Sequence, residues 1–338
     1  MSSCPLLPCT MTMLKRILTA TFAASWLFSC AAVAQGGPNT FSFIGWGDAP
    51  YAIPADYAKV DRLIAAMNAA RPAFSIHVGD IKSGGTPCSD AILKRALDQI
   101  GTANHPVIYT PGDNEWTDCH RANAGSFDPR ERLARLRELF FPKPGVSLGQ
   151  VAMAVESQAL ADPKFAKFVE NQRFVKNGVM FIIPHIVGSN NGFETTDARA
   201  AEEFHERNAA NIAWIRDGFA RAKADGAKAV VIAFQANVYD TRRSSGTSVP
   251  LSSGFFATIR EIAGGARALE KPVLVMHGDQ HTLEIESFRD LQLRPVPNVL
   301  RLQLWGEGRV HAVRVIVDPD MPGVFSFAPL IVPENGPF

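Results

Sequence analysis

Short apolar runs that end in Gly-Asp recur four times along the chain. They occupy Phe41–Asp48, Phe74–Asp80, Val107–Asp113 and Val273–Asp279. Runs of this length, rich in Val, Ile and Phe, are typical of buried strands in α/β sheets. Glycine permits a tight turn after each strand, and the ligand sites of such sheets lie at the carboxyl ends of the strands. The pattern therefore predicts one crevice that gathers four aspartates: Asp48, Asp80, Asp113 and Asp279.

Helical periodicity fills much of the sequence between these runs. Four helices are predicted: Tyr57–Ala70, a helix capped by Ser89 that reaches Ile100, a helix capped by Asp128 with Pro129 at its first position, and Thr196–Ala224. Further strands are predicted at Val179–Val187 and Val230–Phe234. Because strands and helices alternate, the sequence predicts a layered α/β fold in which helices flank mixed sheets on both sides.

Two segments stand outside this alternation. Apolar positions alternate through Leu283–Val317 around Gly306-Glu307-Gly308, which predicts an antiparallel hairpin that closes the sheet. The segment Phe141–Asn177 has weaker periodicity and prolines at positions 142 and 144. We expect it to be an excursion above the sheet that helps to determine the substrate.

The first 34 residues have the pattern of a cleaved secretory signal peptide. Lys15 and Arg16 precede an apolar stretch too short to span a bilayer, and Ala32-Val33-Ala34 is a small-x-small cleavage site. We expect cleavage after Ala34, a periplasmic or secreted protein, and a single domain over residues 35–338. An uncleaved anchor or a buried helix is the alternative, and the bulky Phe28 disfavours a lipoprotein site at Cys30.

Composition and charge exclude several classes of function. Hydrophobic residues make up 46% of the 338, enough to bury a full core. Lys and Arg number 34 against 33 Asp and Glu. No basic surface for nucleic acid or anionic membranes is therefore expected, and no membrane span is expected beyond the signal peptide.

Two cysteines, Cys88 and Cys119, remain after removal of the predicted signal peptide. Each one follows a Gly-Asp turn by a few residues. An even pair in an exported protein favours a disulfide, which here would join two loops at the crevice. Two free thiols are the alternative.

Four carboxylates that converge with His281 would repel one another unless cations lay between them. The motifs that carry these groups, in this order, resemble those of calcineurin-like metallophosphoesterases: Asp48, Gly79-Asp80, Gly112-Asp113-Asn114-Glu115 and Gly278-Asp279-Gln280-His281. The resemblance implies a four-layer αββα sandwich with two divalent metal ions. It also implies a hydrolase that cleaves a small phosphorylated substrate, a phosphomonoester or phosphodiester, with a hydroxide that bridges the metals.

The resemblance assigns metal-ligand roles to Asp48, Asp80, Asp113, Gln235, Asp279 and His281. Asp80 matches the bridging aspartate, and Asp48 and His281 match ligands of one metal. Asp113 and Asp279 are placed at the other metal, and Gln235 offers a neutral contact after a strand. Because carboxylates replace imidazoles, Mn, Fe, Mg or Ca ions are expected over Zn²⁺.

The chain departs from the family pattern at positions that carry its chemistry. Pro50 stands where the first motif has a histidine, and Asn114 replaces the histidine that assists the leaving group. An amide cannot act as an acid near neutrality, so Asn114 is expected to orient substrate or water. His277 and His185, both at strand ends, are the candidate proton donors.

Arg242 and Arg243 form a basic, polar loop downstream of the strand predicted at Val230–Phe234. A pair of guanidinium groups suits a phosphate, and a solvated loop is the alternative. The missing histidines keep two further hypotheses open. One is a degenerate family member that binds metal or a phosphorylated ligand without turnover. The other is a structural envelope protein stabilised by Ca²⁺.

Overall fold

The structure of the protein is a computed structural model. It describes Met1 and residues 37–239 and 247–337. The segment Gly36–Phe338 forms one compact unit. The predicted signal peptide over residues 1–34, its cleavage site, and the predicted phosphate ligands Arg242 and Arg243 lie outside the described residues, Met1 excepted, and stay predictions.

Strands of two mixed sheets make up the centre of the fold. In the described ranges they are β1 (Phe41–Trp46), β2 (Ser75–His77), β3 (Val107–Tyr109), β4 (Glu156–Ser157), β5 (Gln172–Lys176), β6 (Val179–Ile183), β7 (Ala229–Ala233), β8 (Val273–His277), β9 (Glu284–Arg289), β10 (Pro295–Gln303), β11 (Ala312–Val317) and β12 (Phe325–Leu330). The first sheet has the order β12-β11-β1-β2-β3, with β1, β2 and β3 parallel. The second has the order β4-β5-β6-β7-β8-β10-β9, with β6, β7, β8 and β10 parallel.

Helices connect these strands. They are α1 (Ala55–Ala70), α2 (Asp90–Ile100), α3 (Pro129–Phe140), α4 (Gln158–Ala161), the one-turn α5 (Gly188–Asn191), α6 (Ala198–Ala224) and α7 (Phe256–Leu269). Short 3-10 turns lie at Thr117–His120, Ala122–Ala124, Pro163–Phe165 and Pro333–Asn335. The predicted caps are confirmed: Ser89 Oγ accepts from Ile92 N at 3.4 Å, and Asp128 Oδ1 accepts from Arg130 N at 2.9 Å.

Because side chains alternate along the strands, the buried hydrophobic residues form three clusters. One lies between the two sheets, and each of the others lies between a sheet and its helices. Phe43 of β1 and Phe181 of β6 meet between the two sheets. Their neighbours face outwards: Ile44 packs with α1, α2 and α3, and Ile182 packs with α6 and α7. Because successive strand residues point to opposite faces, each sheet is covered on one side by helices and on the other by its partner sheet. The chain is therefore a four-layer αββα sandwich, as predicted.

The predicted hairpin over Leu283–Val317 is wrong. β10 pairs with β8 and β9 in the second sheet, whereas β11 pairs with β1 and β12 in the first. The segment around Gly306 therefore crosses from one sheet to the other. Alternation predicted both strands correctly, but it reports only that one face of a strand is buried and does not identify the partner.

The segment Phe141–Asn177 is only partly an excursion. Its end contributes β4 and β5, which extend one edge of the second sheet. Helix α7 and strand β12 were not predicted from the sequence. No helix in residues 37–239 and 247–337 combines the length and apolar character that a membrane crossing requires.

The predicted disulfide is confirmed. Cys88 and Cys119 are joined, with a Cα–Cα distance of 5.7 Å and a sequence separation of 31. Both cysteines are fully buried and pack against Ala124. The bond ties the loop that precedes α2 to the 3-10 turn that follows the third Gly-Asp motif.

His77, at the end of β2, gives the protein a defined acid sensitivity. Burial against Trp46 and Tyr109 lowers its pKa from 6.5 to about 3. In the unfolded chain His77 takes up a proton near pH 6.5, whereas in the folded protein it stays neutral until about pH 3. The free energy of unfolding therefore falls as pH drops from 6.5 towards 3. The linked loss is about 1.4 kcal/mol per pH unit.

His77→Asn is expected to remove that dependence, because the asparagine Oδ1 can still accept from Gly79 N, the bond that His77 Nδ1 accepts at 3.1 Å. Urea unfolding at pH 7 and pH 5 measures the two slopes. The variant should show a pH slope shallower by about one proton. Identical slopes in the two proteins would contradict the assignment.

Candidate metal centre

Carboxyl ends of parallel strands from both sheets deliver the predicted residues to one place. Asp48, Asp80 and Asp113 follow β1, β2 and β3, and Gln235 follows β7. Asp279 and His281 follow β8. The structure brings these six side chains together with Asn114 across the junction of the two sheets, through the contacts described below.

Four of these residues hold left-handed backbone conformations. The φ angles are 49° at Asp48, 56° at Asp80, 78° at Asp279 and 60° at His281. Non-glycine residues adopt this region rarely, and Asp and His do so more readily than most. Strained backbone of this kind clusters at functional sites, and here it turns each side chain into the crevice directly after its strand.

Asp48 is fully buried and has one open oxygen. Its Oδ1 accepts from Asp279 N at 3.1 Å. Its Oδ2 has no hydrogen-bond partner among the described residues, although it is shielded from solvent. A buried carboxylate oxygen without a donor costs free energy, so this atom is a candidate ligand for a cation.

Asp80 is surrounded by neutral donors. Tyr51 Oη donates to its Oδ2 at 2.8 Å, and Asn114 Nδ2 donates to the same oxygen at 2.7 Å. Asn114 N donates to Oδ1 at 3.1 Å. Tyr51 Oη also accepts from Asn114 Nδ2 at 2.8 Å. Tyr51 and Asn114 therefore fix the orientation of Asp80.

His281 presents an acceptor to the cluster. Its Nδ1 lies 3.3 Å from Glu307 Oε2, and its pKa is lowered, chiefly by burial. A neutral ring that donates Nδ1–H to Glu307 carries its lone pair on Nε2. That Nε2 lies 3.1 Å from Tyr51 Oη and 3.8 Å from Asp48 Oδ1. One ligand atom each from Asp48, Asp80 and His281 lie within 4.8 Å of one another. Acceptors that face each other in this way suit a bound cation.

The amide of Gln235 lies between two carboxylates. Its Nε2 is 3.0 Å from Asp113 Oδ1 and 3.3 Å from Asp80 Oδ2. Its Oε1, the atom that would ligate a metal, instead accepts from Gly188 N at 2.5 Å. Asp279 Oδ2 accepts from Asn237 N at 2.8 Å. The carboxylates of Asp113 and Asp279 thus accept hydrogen bonds from protein donors.

Glu115 and Lys82 add buried charges that the sequence did not suggest. Glu115 Oε1 accepts from Tyr109 Oη, Gly112 N and Asp80 N at 2.7, 2.7 and 3.1 Å. Lys82 Nζ donates to Ser83 O at 3.2 Å, and its ammonium is attracted by Glu115 and Asp80. Burial lowers the pKa of Lys82, and the nearby carboxylates of Glu115 and Asp80 oppose that shift.

Crowding and burial shift the carboxylates away from their ionised forms. The pKa of Asp48 and that of Asp80 are raised well above 3.8, first by burial and then by the neighbouring negative charges. Burial likewise raises the pKa of Glu115. A dication held among them would reverse this preference, because opposite charge favours the ionised carboxylates.

A one-turn segment with left-handed backbone closes the centre beside Asp113. Ser189, Asn190 and Asn191 of α5 have φ angles of 51°, 56° and 58°. Ser189 Oγ donates to Asp113 Oδ2 at 2.7 Å and also lies 3.1 Å from Asp118 Oδ1. Each left-handed residue costs about 1–2 kcal/mol, so the surrounding contacts must hold this turn in place.

The two candidate proton donors lie apart from the cluster. His277 is buried, with Nδ1 donating to Gly278 O and Nε2 accepting from Arg301 Nη1, both at 2.8 Å. His185 is buried with Nδ1 2.9 Å from Glu170 Oε1 and its ring against Trp116. Neither histidine lines the cavity above the cluster, so the structure does not bring them to the reacting position that was predicted.

A cavity of about 1180 Å³ opens above the centre. Tyr51, Asp80, Asn114, Asp279 and His281 line its floor. Among the described residues that line the cavity, eight carry carboxylates and three carry guanidinium groups. The carboxylates are those of Asp80, Asp113, Asp118, Asp128, Glu194, Asp197, Glu203 and Asp279, and the guanidinium groups are those of Arg121, Arg130 and Arg199. The described lining contains no residue of Phe141–Asn177, so that segment does not form the wall that was expected.

Glycines of one motif make room for the carboxylates of another. A methyl group at Gly278 would lie 2.0 Å from Asp48 Oδ2, and one at Gly112 would lie 2.1 Å from Asp80 Oδ1. One at Gly306 would lie 2.2 Å from Asp48 Cβ. The lack of a side chain at these three glycines therefore leaves the space that Asp48 and Asp80 occupy.

The residues around Asp48 fit a divalent cation. A buried open carboxylate oxygen, a neutral imidazole with its lone pair turned inwards, and a second carboxylate lie together. Oxygen-rich sets of this kind suit Mn²⁺, Mg²⁺ or Ca²⁺. Tyr51, Glu307 and Lys82 complete this environment. No clear sequence pattern marks these three residues. Tyr51 and Lys82 follow Gly-Asp motifs without forming a recognisable pattern with them, and Glu307 is distant along the chain.

Comparisons with known proteins give only distant likenesses. No family model matches the chain, and no curated protein matches it in sequence. Among solved structures it is similar to GAP50, the anchor in the inner membrane complex of Plasmodium, with a TM-score of 0.46 and 12% identity over 87% of this chain and 89% of that one. It is similar also to the purple acid phosphatase PPD1 of yellow lupin (Lupinus luteus) seeds, with a TM-score of 0.45 and 8% identity over 87% of this chain and 53% of that one. The chain thus spans about half the length of the lupin protein.

Proposed function

We propose that the protein is an exported, metal-dependent phosphoester hydrolase. The observation that carries the proposal is the cluster of Asp48, Asp80 and His281, whose ligand atoms lie within 4.8 Å of one another, at the base of a large cavity. A cation there would supply a Lewis acid for the phosphoryl oxygens and lower the pKa of a bound water. The position of the cluster supports the proposal, because α/β sheets bind their ligands at the carboxyl ends of the strands.

The chain's own residues have defined tasks in this proposal. Asp48, Asp80 and His281 hold the cation, and Glu307 keeps the His281 lone pair directed inwards. Tyr51 and Asn114 hold Asp80 and face the cavity, where Asn114 orients the substrate. Glu307 acts as the outer carboxylate that ligating histidines commonly need.

The charge of the cavity favours a phosphodiester over a phosphomonoester. Eight carboxylates face three guanidinium groups among the described lining residues. A monoester is a dianion near neutrality and a diester a monoanion, so the monoester is repelled more strongly by this lining. We propose diesters as the substrate class.

Export is supported by the disulfide together with the signal-like N-terminal sequence. Disulfides form and persist in oxidising compartments and are rare in the cytosol. Cys88–Cys119 is buried, and the sequence of residues 1–34 matches a cleavable secretory signal. We propose a periplasmic or secreted location.

The test is hydrolysis of bis(4-nitrophenyl) phosphate and 4-nitrophenyl phosphate by purified protein loaded with Mn²⁺, Fe²⁺, Mg²⁺ or Ca²⁺. We expect turnover that a chelator abolishes and that metal restores, with kcat/KM higher for the diester by about 10-fold, which corresponds to ~1.4 kcal/mol. Absence of turnover with every metal and both esters would contradict the proposal.

A second candidate is a protein that binds metal or a phosphorylated ligand without turnover. The observation that favours it is the occupation of Asn114, whose Nδ2 already serves Asp80 and Tyr51. Among the described cavity-lining residues, His120 and His281 are the imidazoles, and His281 is a proposed ligand. Tight binding of metal and inorganic phosphate in a protein inert to both esters would favour this function.

A further inference from the structure

The two halves of the candidate centre differ in what their carboxylates contact. Around Asp48, a buried oxygen lacks a donor and the lone pair of His281 faces inwards. Around Asp113, one carboxylate oxygen accepts from Gln235 Nε2 and the other from Ser189 Oγ. Asp48 therefore offers an open oxygen to a cation, whereas both oxygens of Asp113 accept hydrogen bonds from the protein.

The Gln235 amide occupies the position between the carboxylates of the second half. Its Nε2 is 3.0 Å from Asp113 Oδ1 and 3.3 Å from Asp80 Oδ2. One amide carries two N–H groups, so it can serve both oxygens at once. A cation that linked Asp80 and Asp113 would have to displace these hydrogens.

The orientation of that amide follows from its other end. Gly188 N is 2.5 Å from Gln235 Oε1. A backbone N–H only donates, so the atom facing it must be the carbonyl oxygen, and the Nε2 must face the carboxylates. Rotating the amide by half a turn would place two donors against each other at Gly188 and an acceptor against two carboxylates.

Other neutral groups donate to carboxylates in the same half. Ser189 Oγ donates to Asp113 Oδ2 at 2.7 Å, and Asn237 N donates to Asp279 Oδ2 at 2.8 Å. These carboxylate oxygens are therefore already bound by protein O–H and N–H groups.

We infer that the centre holds one divalent cation, ligated by Asp48, Asp80 and His281, and that the Gln235 amide takes the place of a second. This disagrees with the two ions that the family resemblance implies. The inference rests on the proposed function only in its choice of metal site and does not require hydrolysis. A folded protein that binds one ion without turnover would contradict the proposed function and support the inference.

The test is metal stoichiometry of the full chain with Mn²⁺, by equilibrium dialysis with elemental analysis, together with the EPR spectrum of the loaded protein. We expect one Mn²⁺ per chain and the six-line spectrum of an isolated ion. Asp113→Asn should leave both unchanged, because Asp113 is not a ligand. Two ions per chain, a spectrum of exchange-coupled Mn²⁺, or loss of an ion in Asp113→Asn would overturn the inference.

A gain-of-site variant tests the role of Gln235 directly. Gln235→Glu keeps the shape of the side chain and replaces the two N–H donors by an acceptor. We expect a second Mn²⁺ equivalent in this variant and a coupled spectrum. A single equivalent in the folded variant would overturn the role given to Gln235. If the variant does not fold, the wild-type count and Asp113→Asn decide the question.

Discussion

Asp48→Asn is expected to lower the affinity for Mn²⁺ by at least about 100-fold, since even the outer partners of metal ligands contribute about 10- to 100-fold. The substitution removes a charge from the ligand set, while the asparagine Oδ1 can still accept from Asp279 N as Asp48 Oδ1 does. Ester hydrolysis should fall with metal occupancy. Isothermal titration with Mn²⁺ measures the affinity, and Asp217→Asn on the partly exposed face of α6 is the matched control.

The same variant has a second, opposite signature in the metal-free protein. Burial and the neighbouring carboxylates raise the pKa of Asp48, so its ionised form opposes folding when no cation is bound. The melting temperature of metal-free Asp48→Asn should equal or exceed that of the metal-free wild type, whereas added Mn²⁺ should stabilise only the wild type. A variant that is destabilised without metal and still stabilised by it would contradict the assignment of Asp48.

Arg207→Met is expected to lower the free energy of unfolding by about 3–5 kcal/mol, because it removes one partner of a buried ion pair. Arg207 is fully buried on α6 and bonds Glu203 Oε1 at 2.9 Å. It also donates to His185 O at 3.1 Å and to Asn191 Oδ1 and O at 2.6 and 2.8 Å. These contacts hold the left-handed turn that carries Ser189, so its loss affects both stability and the wall of the metal centre.

Urea unfolding measures the effect, and Arg216→Met is the matched control. Arg216 lies on the same helix, is exposed, and pairs with Glu261 at 2.9 Å. Exposed pairs contribute about 0–1 kcal/mol, so this control should be nearly neutral. Adding Glu203→Leu to Arg207→Met should recover part of the loss, since no uncompensated carboxylate remains. Equal effects of the two arginine substitutions would contradict the assigned role of Arg207.

The sequence was informative where a local rule determines the structure. Ser89 and Asp128 predicted helix starts because capping depends on neighbours three residues away. The Gly-Asp strand ends predicted the crevice because period-2 burial and the parallel α/β arrangement place strand ends together. The disulfide followed from the predicted export and the even count of cysteines.

The remainder depended on contacts that are distant along the chain. β10 and β11 had the correct pattern, yet their partners lie in different sheets, which no alternation encodes. Gln235 was predicted as a ligand because it follows a strand, but which end of its amide faces Asp80 is decided by Gly188. Glu307 and Tyr51 reach His281 only after the two sheets have packed.

The close approach of Gly278 to Asp48, and of Gly112 to Asp80, means that a substitution in one motif disturbs a residue of another. A change from glycine to any other residue at either position pushes a side chain into a carboxylate that belongs to a different segment of the chain. Such a change is tolerable only with a compensating change at the partner aspartate, because contacting sites are not additive. We therefore expect a natural substitution at Gly278 or Gly112 to be accompanied by a change at Asp48 or Asp80, respectively.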